Sequence, residues 1–180
     1  MLKKLDFITP TVLKVLYIFH RDPMQELHER EVVRRAKVSE GSANKILRGL
    51  SEAGILERRR AGRMVFYRFN VRSPVARQFK VLFNVYSLQG LVDQLRVYCK
   101  RIILFGSCAE GLDVGESDVD LFVLTQEKNE VMGKISAYQG NLDRRLSPIM
   151  VNANEFAKLK REDRPLYERI MKGIVLWESG

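Results

Sequence analysis

The spacing of apolar residues changes along the chain and predicts a mixture of helices and strands. Over residues 12–50, and again over residues 75–100, apolar side chains recur every three or four positions, which is the period of a helix buried on one face. Residues 55–70 consist instead of two short strand-like runs. Residues 102–105 and 119–124 are continuous apolar runs with the length of buried strands. The patterning therefore predicts an α+β protein.

Three helices are predicted before residue 55. The first begins at Thr9, whose hydroxyl can cap a helix, and continues into Pro10. The second lies near residues 24–37. The third begins after the N-cap residue Ser39 and stops at Gly54. The two strand-like runs that follow predict a β-hairpin with an arginine-rich tip.

Three helices followed by such a hairpin resemble the winged helix-turn-helix domain of bacterial and archaeal transcription regulators, over residues 9–72. In that family the third helix lies in the major groove of double-stranded DNA, and the hairpin, called the wing, contacts the flanking backbone or minor groove. The resemblance implies that exposed side chains of both elements bind DNA. They are Ser39, Ser42, Asn44, Lys45 and Arg48 on the helix and Arg58, Arg59, Arg60 and Arg63 on the wing.

The distribution of charge agrees with a polyanionic partner for the first part of the chain. Residues 1–72 contain 16 Lys and Arg against 8 Asp and Glu, whereas residues 73–180 contain 15 against 14, within a net charge of +9. A basic segment beside a nearly neutral one is typical of a nucleic-acid-binding module joined to a second module. Charge runs also occur on solvated faces, and winged helices also bind proteins, so a protein-interaction module is an alternative.

Residues 73–100 are predicted to form a helical linker that begins at Ser73 and Pro74. Gly90 is expected to divide this stretch into two helices. The apolar positions of the linker either pack between the two modules or form a homodimer interface, which would suit two half-sites on palindromic DNA. Both alternatives stay open.

The residues best suited to binding a metal ion and phosphate lie in the stretch 102–125. Its second strand carries Asp118 and Asp120 at its start, and residues at i and i+2 of a strand share a face, with Cβ atoms roughly 6 to 7 Å apart. That spacing suits two carboxylates that share a hard divalent cation. Gly106 permits a sharp turn that brings Ser107 and its backbone N–H close to a bound anion. The stretch therefore predicts a site for metal and phosphate.

These residues resemble the GSxAxG…DxD signature of the DNA polymerase β nucleotidyltransferase superfamily, in particular its minimal bacterial and archaeal branch. The resemblance covers residues 102–125 closely and a wider pattern over residues 91–177. It implies a small mixed sheet backed by helices, with Mg²⁺ (or Mn²⁺) and a nucleoside triphosphate as cofactors. The residues implied as catalytic and metal-binding are Asp118 and Asp120, and those implied as nucleotide-binding are Gly106, Ser107 and Gly111.

A third carboxylate usually lies on the next strand in that superfamily, and Ser147 aligns with its position here. A hydroxyl is a poorer metal ligand than a carboxylate, and it is not an effective general base near neutral pH. Asp143 could replace it only with a different strand register, and Glu155 only from the following turn. Asp113 and Glu116 are expected to be loop residues that add to the negative field of the site.

With Ser147 in place of the third carboxylate, two functions of the chain stay open. In the first, the protein is a DNA-binding regulator whose second domain transfers a nucleotidyl group to a hydroxyl, and the resemblance to nucleotidyltransferases of toxin–antitoxin pairs implies a partner protein as acceptor. In the second, the domain binds nucleotide or a partner without catalysis and alters DNA affinity. The predicted organisation is a winged helix-turn-helix domain at residues 1–72, a linker at 73–100 and a minimal nucleotidyltransferase-like domain at 101–180.

The cysteines and the apolar stretches of the sequence indicate the compartment in which we expect the protein. Cys99 and Cys108 have no paired spacing and no neighbouring histidines, so we expect neither a disulfide framework nor a zinc site. The apolar stretch at residues 8–19 is too short for a membrane span and contains Lys14. We therefore expect a cytoplasmic protein without a membrane partner.

Overall fold

The computed structural model describes residues 8–180, which form two compact units divided between Lys80 and Val81. The first seven residues of the predicted DNA-binding domain lie outside the described part. Helix α4 (Pro74–Leu95) contributes residues to both units and continues through Gly90 without a break. The expectation that Gly90 divides this stretch was therefore wrong. The helix ends at Leu95, and a strand has begun by Cys99.

Unit 1 consists of helices followed by a hairpin, with one additional short strand. Its elements before α4 are α1 (Pro10–Arg21), β1 (Leu27–His28), α2 (Glu29–Ala36), α3 (Glu40–Glu52), β2 (Leu56–Ala61) and β3 (Met64–Phe69). The three strands form an antiparallel sheet in the order β1-β3-β2. The predicted helix over residues 24–37 was wrong in its first part, because Leu27 and His28 pair with β3 before α2 begins.

Side-chain caps and turn residues account for the boundaries of these elements. Thr9 and Ser39 accept hydrogen bonds from the backbone N–H groups three residues later, as predicted for the N-caps of α1 and α3. Gly62 has φ +60° in the turn between β2 and β3. The fully buried side chains of unit 1 come from all three helices and the hairpin, and include Val15, Leu16, Phe19, Val32, Leu47, Leu50, Tyr67 and Phe69.

Unit 2 is a four-stranded mixed sheet with helices on both faces. Its elements after α4 are β4 (Cys99–Phe105), α5 (Ser107–Glu110), β5 (Val119–Thr125), α6 (Lys128–Tyr138), a short 3-10 turn (Gln139–Asn141), β6 (Leu146–Val151), α7 (Ala153–Glu162), α8 (Arg164–Met171) and β7 (Ile174–Glu178). The strand order is β6-β5-β4-β7, with β5 antiparallel to β4 and parallel to β6. The small mixed sheet predicted from the sequence is present.

Alternate residues of the central strands enter two separate cores. Leu91 and Leu95 of α4 and Val131 of α6 pack with one set of strand residues on the first face. Phe105 and Phe122 pack with Ile170 of α8 on the second face. Because side chains alternate along a strand, Asp120 lies on the same face as Phe122, the face covered by α7 and α8. Among the helices described, none is both long and apolar enough to cross a lipid bilayer.

Candidate functional site

The end of β4 and the start of β5 lie side by side and bring two predicted site residues into contact. Phe105 is opposite Asp120 in the antiparallel pairing, so Gly106 follows at the same edge of the sheet. Gly106 has φ +69°, and a Cβ atom there would lie 2.5 Å from Oδ2 of Asp120. Glycine is required at this position for both reasons. The Asp120 carboxylate therefore packs directly against the Gly106 backbone.

The predicted Gly-Ser turn is a single turn of helix, α5. It begins at Ser107, and the carbonyl of Gly106 accepts hydrogen bonds from Ala109 and Glu110. Gly111 ends the turn with φ +68°, and its backbone N–H donates to the carbonyl of Ser107. The three residues predicted to bind nucleotide thus form one compact backbone feature beside the Asp120 carboxylate.

Two carboxylates share the start of β5 and influence each other. Asp118 is exposed, whereas Asp120 is half-buried. Burial raises the pKa of the Asp120 carboxyl above its usual value, the Arg169 cation opposes that rise, and the negative charge of Asp118 adds to it. A cation bound to both carboxylates would offset the repulsion between them. Oxygen ligands from two aspartates fit a hard divalent cation such as Mg²⁺, which keeps several of its waters in protein sites.

The neighbouring strand presents a hydroxyl where a third carboxylate would lie. In the parallel pairing of β5 with β6, Asp120 is opposite Ser147, which is the alignment expected from the sequence. Ile149 and Val151 of β6 pack into the core on the Asp120 face, so alternation places Ser147 on that face too. Over residues 8–180, no group of three or more His, Cys, Asp or Glu side chains is arranged to share a metal ion.

The two carboxylates considered as substitutes for Ser147 lie elsewhere. Glu155 accepts hydrogen bonds from Lys128 Nζ at 2.5 Å and from the Asn152 backbone N–H at 2.8 Å, as part of the cap of α7. These contacts lower the pKa of the Glu155 carboxyl, and the hydrogen bond from Lys128 has the largest effect. This cap lies just after the end of β6, whereas Ser147 lies near its beginning. Asp143 is exposed in the segment before β6 begins.

Sequence analysis missed a buried polar cluster beneath the site. Asp113 was expected to be a loop residue that adds to the negative field of the site, but its side chain is 2% exposed and forms an ion pair with Arg144 at 2.5 Å. The expected contribution of Asp113 to a negative field was wrong, because Arg144 neutralises its charge. Asn84 of α4 completes the cluster by donating to Oδ1 of Asp113 at 3.0 Å and accepting from Arg144 Nη2 at 2.6 Å.

The Asn84–Asp113–Arg144 cluster holds α5 in place. Nδ2 of Asn84 donates to the carbonyl of Cys108 at 2.9 Å, and Nη1 of Arg144 contacts the Cys108 sulfur at 3.4 Å. The Cys108 thiol in turn donates to the carbonyl of Asp118 at 3.4 Å. The residue after Ser107 is thus tied to a buried ion pair and to the first aspartate. The cluster joins residues distant in the sequence, and no local pattern indicates it.

Arg169 is a further residue near the site that the sequence patterns did not indicate. Its guanidinium carbon lies 5.4 Å from the centroid of the Phe105 ring. Phe105 is 1% exposed and lies opposite Asp120 in the sheet. Arg169 belongs to α8, whose sequence shows only an ordinary amphipathic pattern, so its position near the aspartates follows from the packing of α8 on the sheet.

In unit 1 the residues predicted on α3 are not equally available. Ser39, Ser42, Lys45 and Arg48 are exposed. Asn44 is partly buried, and its Nδ2 donates to both carboxylate oxygens of Glu29, at 3.0 and 3.1 Å.

The arginines of the hairpin lie on two different faces. Arg58 and Arg60 alternate with Arg59 along β2, and all three are exposed, as is Arg63 in the turn. Arg59 forms an ion pair with Glu26 at 2.5 Å and lies over the Phe66 ring at 5.2 Å. Its charge is therefore already partnered within unit 1.

Residues 94–179 match the family model described as Polymerase beta, Nucleotidyltransferase. The matched segment contains every predicted site residue of unit 2 and no residue of unit 1. The search of curated proteins found no match, and the search of solved structures found none either. The family match supports a nucleotidyltransferase domain over the second half of the chain.

Proposed function

We propose that unit 2, which the nucleotidyltransferase family model matches over residues 94–179, binds a divalent cation with a nucleoside triphosphate and transfers the nucleotidyl group to a hydroxyl acceptor. The observation that carries this proposal is the packing of the Asp120 carboxylate against Gly106, beside Ser107. Candidate metal ligands and a candidate phosphate-contacting turn are thereby adjacent. When bound, Mg²⁺ or Mn²⁺ would neutralise charge on the phosphates.

The reaction requires positioning more than covalent chemistry by the protein. The oxygen of the acceptor hydroxyl bonds to the α-phosphorus, and the bond from that phosphorus to the oxygen bridging the β-phosphate breaks. Pyrophosphate leaves with the electron pair of that bond, and the hydroxyl proton is released to solvent. Asp118 and Asp120 would hold the cation, while Gly106 and Ser107 would orient the phosphates.

A second candidate function is nucleotide binding without transfer, and Ser147 is the observation that favours it. A serine opposite Asp120 supplies neither a third anionic ligand nor an effective base. In this version nucleotide binding alters the affinity of the chain for DNA or for a partner protein.

Label transfer separates the two candidates. The full chain is incubated with Mg²⁺, cell lysate as the source of acceptors, and each of the four ribonucleoside triphosphates labelled on the α-phosphate. Transfer predicts a labelled acceptor with the wild type and none with Asp118→Asn or Asp120→Asn. Nucleotide binding without any labelled product would favour the second candidate, and the absence of both binding and label would contradict both.

For unit 1 we infer a winged helix-turn-helix module that binds double-stranded DNA, which would make the chain a DNA-binding regulator. The face of the hairpin supports this inference. Leu56 is buried and lies on the same face of β2 as Arg58 and Arg60. These two arginines therefore project from the side of the sheet that packs on the helices. Lys45 and Arg48 of α3 are exposed as well.

The hairpin offers a matched test of DNA binding. We expect Arg58→Ala with Arg60→Ala to weaken binding of the full chain to genomic DNA fragments and to lower the salt dependence of log K by about 1 per lost phosphate contact. The control removes two arginines that are ion-paired within unit 1, Arg59 and Arg68. It should have the smaller effect. Equal effects would contradict the assignment of the binding face, and no DNA binding by the wild type would favour the protein-interaction module.

A further inference from the structure

We propose that the site of unit 2 holds a single divalent cation and that Arg169 contacts the phosphates of the bound nucleotide from the α8 side. This inference rests on the proposed nucleotide binding of unit 2 and adds to it the number of cations and a further binding residue. It is supported by the small number of carboxylates at the site, by the position of Arg169, and by the effect of the positive charge of Arg169 on each ligand.

The carboxylates near the site are few. Asp118 and Asp120 lie at the start of β5, and the neighbouring position on β6 is Ser147. Two further acidic side chains that were considered for the site are ion-paired: Asp113 with Arg144, and Glu155 with Lys128. Asp143 lies before β6 begins. Two divalent cations about 4 Å apart need shared anionic ligands to offset their mutual repulsion. Two carboxylates and a neutral hydroxyl suit one cation.

Arg169 supplies a positive charge on the same face of the sheet. Its guanidinium lies over Phe105, at 5.4 Å from the ring centroid, and Phe105 is the cross-strand neighbour of Asp120. Directly opposite side chains of antiparallel strands have Cβ atoms about 5 Å apart. Arg169 is exposed and forms no ion pair within 4.0 Å in the described part of the chain. Its donors are therefore available to an incoming anion.

The charge of Arg169 has opposite consequences for the two ligands. A guanidinium close to the carboxylates repels a bare divalent cation. Asp118, Asp120 and Arg169 together carry one net negative charge, so one divalent cation already makes the site net positive, and a second would add to that charge before nucleotide arrives. The same guanidinium attracts phosphate oxygens, which it can bind through two parallel N–H groups. Arg169 therefore weakens binding of metal alone and strengthens binding of metal with polyphosphate.

The first test counts cations. Mn²⁺ bound to the full chain is measured from the loss of the free-ion signal in electron paramagnetic resonance, with and without inorganic tripolyphosphate. We expect one Mn²⁺ per wild-type chain in both cases and none tightly bound to Asp120→Asn. The double variant Ser147→Asp with Arg169→Ala, which adds a carboxylate and removes the cation, should bind two.

The second test separates the two roles of charge. Arg169→Ala should bind Mn²⁺ alone more tightly than the wild type and should bind tripolyphosphate with Mn²⁺ about tenfold less tightly, the loss of one charge-assisted contact. The control is Arg164→Ala on the same helix, whose guanidinium is paired with Glu168. It should leave both affinities near those of the wild type. Far-UV circular dichroism and the fluorescence of Trp177 check that each variant is folded.

The outcomes distinguish this inference from the function on which it rests. Two Mn²⁺ ions per wild-type chain would overturn the single-cation site and leave nucleotide binding intact. A parallel change of both affinities in Arg169→Ala, or unchanged binding of tripolyphosphate, would overturn the role of Arg169. No binding of Mn²⁺ or tripolyphosphate by the wild type would overturn the proposed function of unit 2 itself.

Discussion

The environment of Asp120 makes its ionised form unfavourable in the folded chain. Its pKa is raised, first by burial and then by the charge of Asp118. The folded state therefore holds the proton more tightly than the unfolded chain does. As pH rises from the unfolded pKa, near 3.9, through the raised folded value, stability is lost. A cation bound at the proposed site would offset this loss of stability.

This pH dependence leads to a prediction for Asp120→Asn. Without divalent metal, the variant should have a higher Tm than the wild type at pH 7, because the amide carries no charge to desolvate or to repel Asp118. The difference should shrink as pH falls through the raised pKa of Asp120 and should be largely gone at about pH 4. Thermal unfolding in a chelating buffer between pH 3.5 and 7 measures it. A variant less stable than the wild type across the whole range would contradict the account.

Cys99 is a second residue whose environment changes its chemistry. Burial raises the pKa of the thiol to about 11, with a smaller opposing contribution from Thr125. A thiol with that pKa is almost entirely protonated near neutral pH, and therefore unreactive. Cys99 is therefore an unreactive, buried residue of the core of unit 2.

At the level of elements, α5 and the loop after it depend on a buried ion pair that no local pattern predicts. The strands β4 and β5 follow from continuous apolar runs, and the hairpin of unit 1 follows from its turn and its alternation. Asp113 and Arg144 lie 31 positions apart, and both are charged. Sequence patterns assign such residues to solvent, since the cost of burial is removed only when the partner is known.

The ion pair leads to a prediction for Arg144→Met. Removing the guanidinium leaves Asp113 buried without its counter-charge, which should reduce the free energy of unfolding by about 3 to 5 kcal/mol. The double variant Asp113→Leu with Arg144→Met should recover a large part of that loss, because no buried charge is left unpaired. Urea unfolding measures both.

If the Asn84–Asp113–Arg144 cluster positions α5 as well as stabilising unit 2, the double variant should also have an altered affinity for phosphate. The recovered double variant lacks the Arg144 contact with Cys108 and both charged partners of Asn84, so it should bind tripolyphosphate with Mn²⁺ more weakly than the wild type despite its stability. If its affinity equals that of the wild type, the cluster stabilises unit 2 without positioning α5.

For the whole molecule, the division into two units predicts two separable responses. The only tryptophan, Trp177, lies on β7 of unit 2. Its fluorescence should therefore report unfolding of unit 2, whereas far-UV circular dichroism reports both units. Mn²⁺ with tripolyphosphate at 100 times its Kd should stabilise the fluorescence transition by about 2.7 kcal/mol. DNA should stabilise only unit 1, so it should shift the unfolding seen by circular dichroism and leave the Trp177 fluorescence transition unchanged.

A single transition seen identically by both probes, and moved by either ligand, would mean that the two units unfold together. The same measurement on Arg58→Ala with Arg60→Ala serves as control, since this change should reduce the DNA-dependent shift and leave the fluorescence transition unchanged.

Apart from the short elements β1 and α5, the order of helices and strands could be recognised in the sequence. So could the hairpin, the N-caps at Thr9 and Ser39, and the cluster of Gly106, Ser107, Asp118 and Asp120. They depend on interactions over a few residues: helical and strand periodicity, capping hydroxyls, and glycines with positive φ. The pairing of Leu27 with β3, the partnered state of Arg59 and Asn44, the burial of Asp113 with Arg144, and the place of Arg169 beside Phe105 required the folded chain. Each joins segments far apart in sequence, and a charged side chain carries no local sign of which partner will neutralise it.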